Sequence, residues 1–94
     1  HWTDVPTPLW ARIGEVQQVV GQALMDAFSP VRVGSIIAGL EVPHCHVHLI
    51  PIDAESDLNF ANVDHDPSPD AMDDAAARIR AALRAAGHGA HVPD

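Results

Sequence analysis

Three histidines alternate with other residues over one short stretch, Val42-Pro43-His44-Cys45-His46-Val47-His48-Leu49-Ile50-Pro51. In an extended strand successive side chains point to opposite faces, so His44, His46 and His48 share one face while Cys45, Val47 and Leu49 share the other. Helical spacing would scatter the imidazoles and split the apolar set, so the pattern is that of a strand. Imidazoles are costly to bury without partners, and three on one face point to chemistry rather than packing. A neutral ring nitrogen can act as a nucleophile without a separate base, which suits attack on phosphorus. The rival chemistry is metal binding, since two histidines two apart on a strand can share one zinc. In a straight strand His44 and His48 stand about 13 Å apart, so all three could meet one ion only if the strand bent sharply. A two-histidine site would need carboxylates from elsewhere, such as Glu41 or Asp53.

The flanking sequence supplies elements to hold this strand. Thr7-Pro8 has the form of an N-cap followed by proline at the first helical position. Leu9, Ile13, Val16, Val20, Leu24 and Phe28 then recur at helical spacing, predicting a core-facing helix that ends near Ser29-Pro30. Residues 31–38 are β-branched and apolar and read as a strand, with 39–43 as the turn into the histidine strand. So short a link implies an antiparallel hairpin. Residues 52–67 turn acidic and polar and read as a surface loop, with Leu58 and Phe60 as candidate anchors. Ser68-Pro69-Asp70 repeats the cap-plus-proline signature and opens a helix through Ala86, with Asp73 and Asp74 early and Arg78, Arg80 and Arg84 late, as the macrodipole prefers. Gly87 stops it, and the tail from His88 is expected to fray, leaving His88 and His91 in solvent.

A chain of 94 residues makes one small domain with a modest core. The net charge is −8, with five arginines and no lysine, which argues against a nucleic-acid duplex as partner because phosphate backbones call for clustered cations. A single small phosphate remains compatible, since imidazoles and backbone N–H groups can hold it locally. The lone Cys45 provides no disulfide framework. No stretch reaches the roughly 18 apolar residues of a membrane span, and the first residues lack the pattern of a signal peptide, so a cytoplasmic location is expected.

The run from His44 to Ile50 resembles the signature of the histidine-triad (HIT) family of nucleotide hydrolases and transferases, His-φ-His-φ-His-φ-φ with φ apolar, and fills every position of it. Val42 and Pro51 extend the likeness, and a weaker one runs from the preceding helix to the following one. The resemblance implies an α+β fold, an antiparallel sheet with a long helix before the triad hairpin and a helix after it. In the family the sheet has five strands whose first members precede the helix at Leu9. The chain is therefore expected to be the C-terminal part of a longer protein, with a shortened family member as the alternative. It also implies a homodimer, with the helix from Leu9 and the strand 31–38 as contributors.

For the chemistry, the resemblance assigns attack on the α-phosphate to His46, giving a nucleotidyl-histidine that water or another acceptor resolves. Nδ1 of His46 would then donate to the backbone carbonyl of His44, leaving Nε2 free. His48, about 6.6 Å further along a straight strand, would hydrogen-bond the phosphate oxygens, and His44 would orient the array. Gly39, Val42 and Ser35 are the expected phosphate- and nucleotide-lining positions, Ser35 being the nearest polar stand-in for an Asn-x-Gly motif that the chain lacks. No cofactor and no metal is implied for the chemical step. Many members carry Gly-Gln before the triad, whereas here Leu40 and Glu41 follow Gly39. Leu40 cannot supply those hydrogen bonds, and Glu41 would repel a polyphosphate unless it points away. A non-catalytic nucleotide-binding module is thus a further alternative. His1 and His65 are left without a role, and Trp2 and Trp10 are read as packing residues.

Overall fold

The structure, a computed structural model, describes residues 1–37 and 44–93. The turn 39–43, with Gly39, Leu40, Glu41 and Val42, lies outside the described residues.

Helix α1 runs over Thr7–Phe28. Its N-cap is Pro6 rather than Thr7, with no side-chain cap bond, so Thr7-Pro8 sits one step further into the helix than its sequence suggests. A second proline explains the shift, because Pro6 is held in extended backbone while Pro8 still falls in the first turn, where its missing N–H costs nothing. Ser29 closes α1 in the left-handed region at φ 48°, its N–H donating to the Met25 carbonyl at 3.0 Å.

Strands β1 (Arg32–Ile37) and β2 (Val47–Ile52) pair antiparallel as expected, with Ser35 opposite Leu49 and Ile36 opposite His48. Among the described residues both are edge strands, which accommodates Pro51 within β2. Parity then sorts the residues. Val33, Ser35, Val47 and Leu49 lie toward α1, where Val33 approaches Gly21 and where Val47 and Leu49 join Ile13, Val16 and Val20 around a cavity of about 480 Å³. Gly34, Ile36, His48, Ile50 and Ile52 fall on the opposite face.

The acidic segment after β2 is a braced loop with short 3-10 turns at Glu55–Leu58 and Phe60–Asn62. Helix α2 (Pro69–Ala85) begins as the sequence predicts, the Ser68 hydroxyl accepting from the Ala71 N–H at 3.1 Å. It ends in a Schellman motif: Gly87, at φ 93°, donates to the Arg84 carbonyl, and His88 donates to the Leu83 carbonyl at 2.9 Å. Arg78 ties α2 to the end of α1, donating from Nη2 to the Ala27 carbonyl at 2.6 Å while its guanidinium lies 4.7 Å from the Phe28 ring centroid. A cation at those orphan carbonyls also offsets the negative end of the α1 dipole.

The tail does not fray. Gly89–His91 forms a 3-10 turn, the Pro93 carbonyl accepts from Arg84 at 3.0 Å, and His88, half-buried, joins Leu83 and Val92 at a cavity against α1. Among the described residues the buried apolar core consists of Ala23 and Leu24 on α1. The chain is a small α+β fold of two helices against a two-stranded antiparallel sheet. No helix among the described residues is long and apolar enough to cross a membrane.

Candidate active site

The three imidazoles form one continuous series of ring contacts. The rings of His44 and His46 have centroids 5.1 Å apart at 62°, and those of His46 and His48 are 4.9 Å apart at 88°, both edge-to-face. In an extended strand the Cα atoms of alternate residues stand about 6.6 Å apart, a spacing within which imidazoles on one face can lean together. The paired part of β2 begins only at Val47, so His48 sits in the ladder while His44 lies at a bend and Cys45 and His46 lie between the two. His44 and His48 are exposed, and His46, between them, is half-buried. This leaves a central imidazole flanked on both sides by imidazole edges.

The structure corrects one expected detail of this array. Nδ1 of His46 is buried and has no hydrogen-bond partner, so the carbonyl of His44 does not accept from it. With His44 at a bend rather than in a regular pleat, its carbonyl direction is not set by strand geometry. The buried Nδ1 still needs its desolvation met.

Ser35 does not join the imidazoles. Gln17 Nε2 of α1 donates to its hydroxyl at 2.8 Å, on the helix side of the sheet, because its register partner is Leu49 and not His48. Gly39 and Val42 lie outside the described residues. Cys45 is a free, half-buried thiol. His65 is exposed, and His1 packs near Trp2 with ring centroids 6.0 Å apart, so neither is brought to the triad. Trp2 and Trp10 pack together at 5.6 Å. Among the described residues no group of three or more His, Cys, Asp or Glu side chains is arranged to hold a metal ion.

What the sequence does not reveal is the wall beside the array. Phe60 comes up from the loop to meet His48 at 5.9 Å between centroids and 66° between planes. Leu58, from the same loop, covers Gly34 so tightly that a Cβ there would stand 2.6 Å from Leu58 Cδ2 and 3.4 Å from Ile52 Cδ1. The loop is held by carboxylates. Asp57 Oδ2 accepts from the N–H groups of Asp53 at 2.9 Å and Ala54 at 3.1 Å, and Asp53 Oδ1 accepts from the Val31 N–H at 3.0 Å, beside the start of β1. The hydrogen bonds from Asp53 and then Ala54 hold the Asp57 carboxyl below its ordinary range. Further along, Asn62 Nδ2 donates to the Ser56 carbonyl at 2.8 Å and Asn59 Oδ1 accepts from the Ala61 N–H at 2.9 Å. An Asp placed three residues after the start of a turn, with Asn residues at its exit, is the local signal for such bracing. Nothing local says that it carries Phe60 to His48.

The arrangement can place one nucleophilic imidazole between two others able to donate to an anion, on an open face whose far side is packed against α1. No family model matches the chain.

Proposed function

We propose that the protein is a nucleotide phosphate hydrolase or nucleotidyl transferase of the histidine-triad type, acting at the α-phosphate of nucleoside phosphoramidates or dinucleoside polyphosphates. The observation that carries this reading is the contact series His44, His46, His48 at 5.1 and 4.9 Å, with the half-buried member in the middle. In this mechanism Nε2 of His46 attacks phosphorus, forming a P–N bond as the bond to the leaving group breaks, and the departing amine or phosphate takes up a proton. Water then adds to the nucleotidyl-histidine, breaking the P–N bond and releasing the nucleoside monophosphate and the free imidazole. Imidazolium or N–H donors on His48 stabilise the charge that builds on the phosphate oxygens, and His44 orients the array.

The test is hydrolysis of an adenosine phosphoramidate and of a dinucleoside polyphosphate, each with and without excess EDTA, by wild type and His46→Ala. The reading expects turnover that survives the chelator and is lost in the variant. Activity abolished by EDTA and restored by zinc would replace it with a metal-site reading.

The same proposal includes a homodimer. Leu9 and Val16 of α1 are 53% and 44% exposed, and among the described residues each strand of the sheet has an open edge, so apolar surface and backbone groups are available for a second copy. Light scattering at micromolar concentration should read twice the chain mass, and a monomer mass would reject the dimer.

A further inference from the structure

We propose that Phe60 is a positioning residue for His48, and that the carboxylate-braced loop carrying it is part of the site; its catalytic consequence rests on the function proposed above. His48 is an exposed end member of the array, in ring contact with His46 at 4.9 Å and with Phe60 at 5.9 Å. An exposed histidine on an edge strand would otherwise exchange among rotamers, because backbone pairing restrains the main chain and not the ring. Two edge-to-face contacts, one from each ring, restrict that exchange. Such aromatic contacts have a preferred geometry as well as an apolar area, which is what a positioning contact requires.

Phe60 can serve in this way because its own backbone is fixed from both directions. Upstream, Asp57 binds the N–H groups of Asp53 and Ala54, Asp53 binds that of Val31, and Leu58 is seated over Gly34 of β1. Downstream, Asn59 and Asn62 close the turn in which Phe60 sits. The bare Cα of Gly34 matters here, since a Cβ at that position would displace the end of the Leu58 side chain. Phe60 is nonetheless 50% exposed, so core packing is not what accounts for its position. A half-exposed aromatic on a heavily braced loop, aimed at one member of a triad, is placed for what it touches.

The experiment has a kinetic arm and a structural arm. Steady-state hydrolysis of adenosine phosphoramidate is measured for wild type, Phe60→Ala, Phe60→Tyr, His48→Gln and the Phe60→Ala/His48→Gln double variant. Releasing one ring into three staggered wells should lower kcat about three- to tenfold in Phe60→Ala with KM little changed. Phe60→Tyr, which keeps the ring, should recover most of that loss, and Phe60→Ala should cost nothing further once His48 is already Gln. Equal losses in the presence and absence of His48 would overturn the proposal, since they would mark a general structural effect. The second arm needs no turnover: in NMR spectra of the wild type, the His48 imidazole protons should show cross-relaxation to the Phe60 ring and a ring-current shift that vanishes in Phe60→Ala. Absence of that contact in the wild type would also overturn the proposal. If the wild type turns over neither class of substrate, the proposed function fails, and the positioning of His48 by Phe60 is then decided by the NMR arm.

Discussion

Gly34 and Leu58 should be energetically coupled although neither touches an imidazole. A Cβ built on Gly34 stands 2.6 Å from Leu58 Cδ2 and 3.3 Å from Leu58 Cδ1. Carbon atoms rest at about 3.5 to 4.0 Å, so Gly34→Ala must push the end of Leu58 away by roughly 1 Å. Forcing an extra carbon into occupied space costs about 1 to 3 kcal/mol, and the low end applies because a leucine terminus can rotate. Against this, alanine in a strand interior recovers roughly 0.5 to 1 kcal/mol over glycine. The single variant alone is therefore a poor test, and the double-mutant cycle with Leu58→Ala is the better one. Removing the leucine end empties the space that the new methyl needs, so Gly34→Ala should be neutral or stabilising in that background. The coupling should be on the order of 1 kcal/mol, which for a domain of this size is about 4 to 8 °C in Tm. Thermal melts of the four proteins followed by circular dichroism give the cycle directly. Additive changes in Tm would refute the close approach of Leu58 to Gly34, and with it the seating of the loop that brings Phe60 to His48.

Further outcomes follow from the same structure. Leu24 is 5% exposed and one of the two buried apolar residues among those described, so Leu24→Ala should cost about 2 to 5 kcal/mol and leave little or no cooperative thermal transition, whereas a loss under about 1 kcal/mol would show that the core lies elsewhere. The hydrogen bonds that lower the Asp57 carboxyl stabilise its charged form, so the bracing they give is fully present above its ordinary range and fades as pH falls through the lowered folded value. Asp57→Asn should accordingly raise amide exchange at Asp53 and Ala54 at neutral pH; unchanged exchange would show that the carboxylate does not hold the loop.

Much of this fold is legible in the sequence where the cause is local. Ser68-Pro69 announces α2 because hydroxyl cap and fixed φ act within one turn, and the alternation from Cys45 to Leu49 divides packing face from imidazole face because a pleat has period two. Thr7-Pro8 misleads by one residue, since Pro6 and Pro8 offer competing starts and only the preceding backbone decides between them. Ser35 shows the limit for the site. Its face follows from pairing with Leu49, and no residue near Ser35 in the sequence specifies that partner. Likewise the seating of Phe60 and the docking of the tail through Arg84 join residues whose meeting is decided by tertiary packing.

The central claim is that His46 becomes covalently bound to substrate phosphorus. Acid-stable labelling is not expected of a P–N bond, so the enzyme should be mixed with adenosine phosphoramidate for milliseconds, quenched in base, digested and read by tandem mass spectrometry. A nucleotidyl group on His46, absent from His46→Ala, is the result this mechanism predicts. Turnover by the wild type with the nucleotidyl group on another residue, or undiminished turnover by His46→Ala, would contradict it.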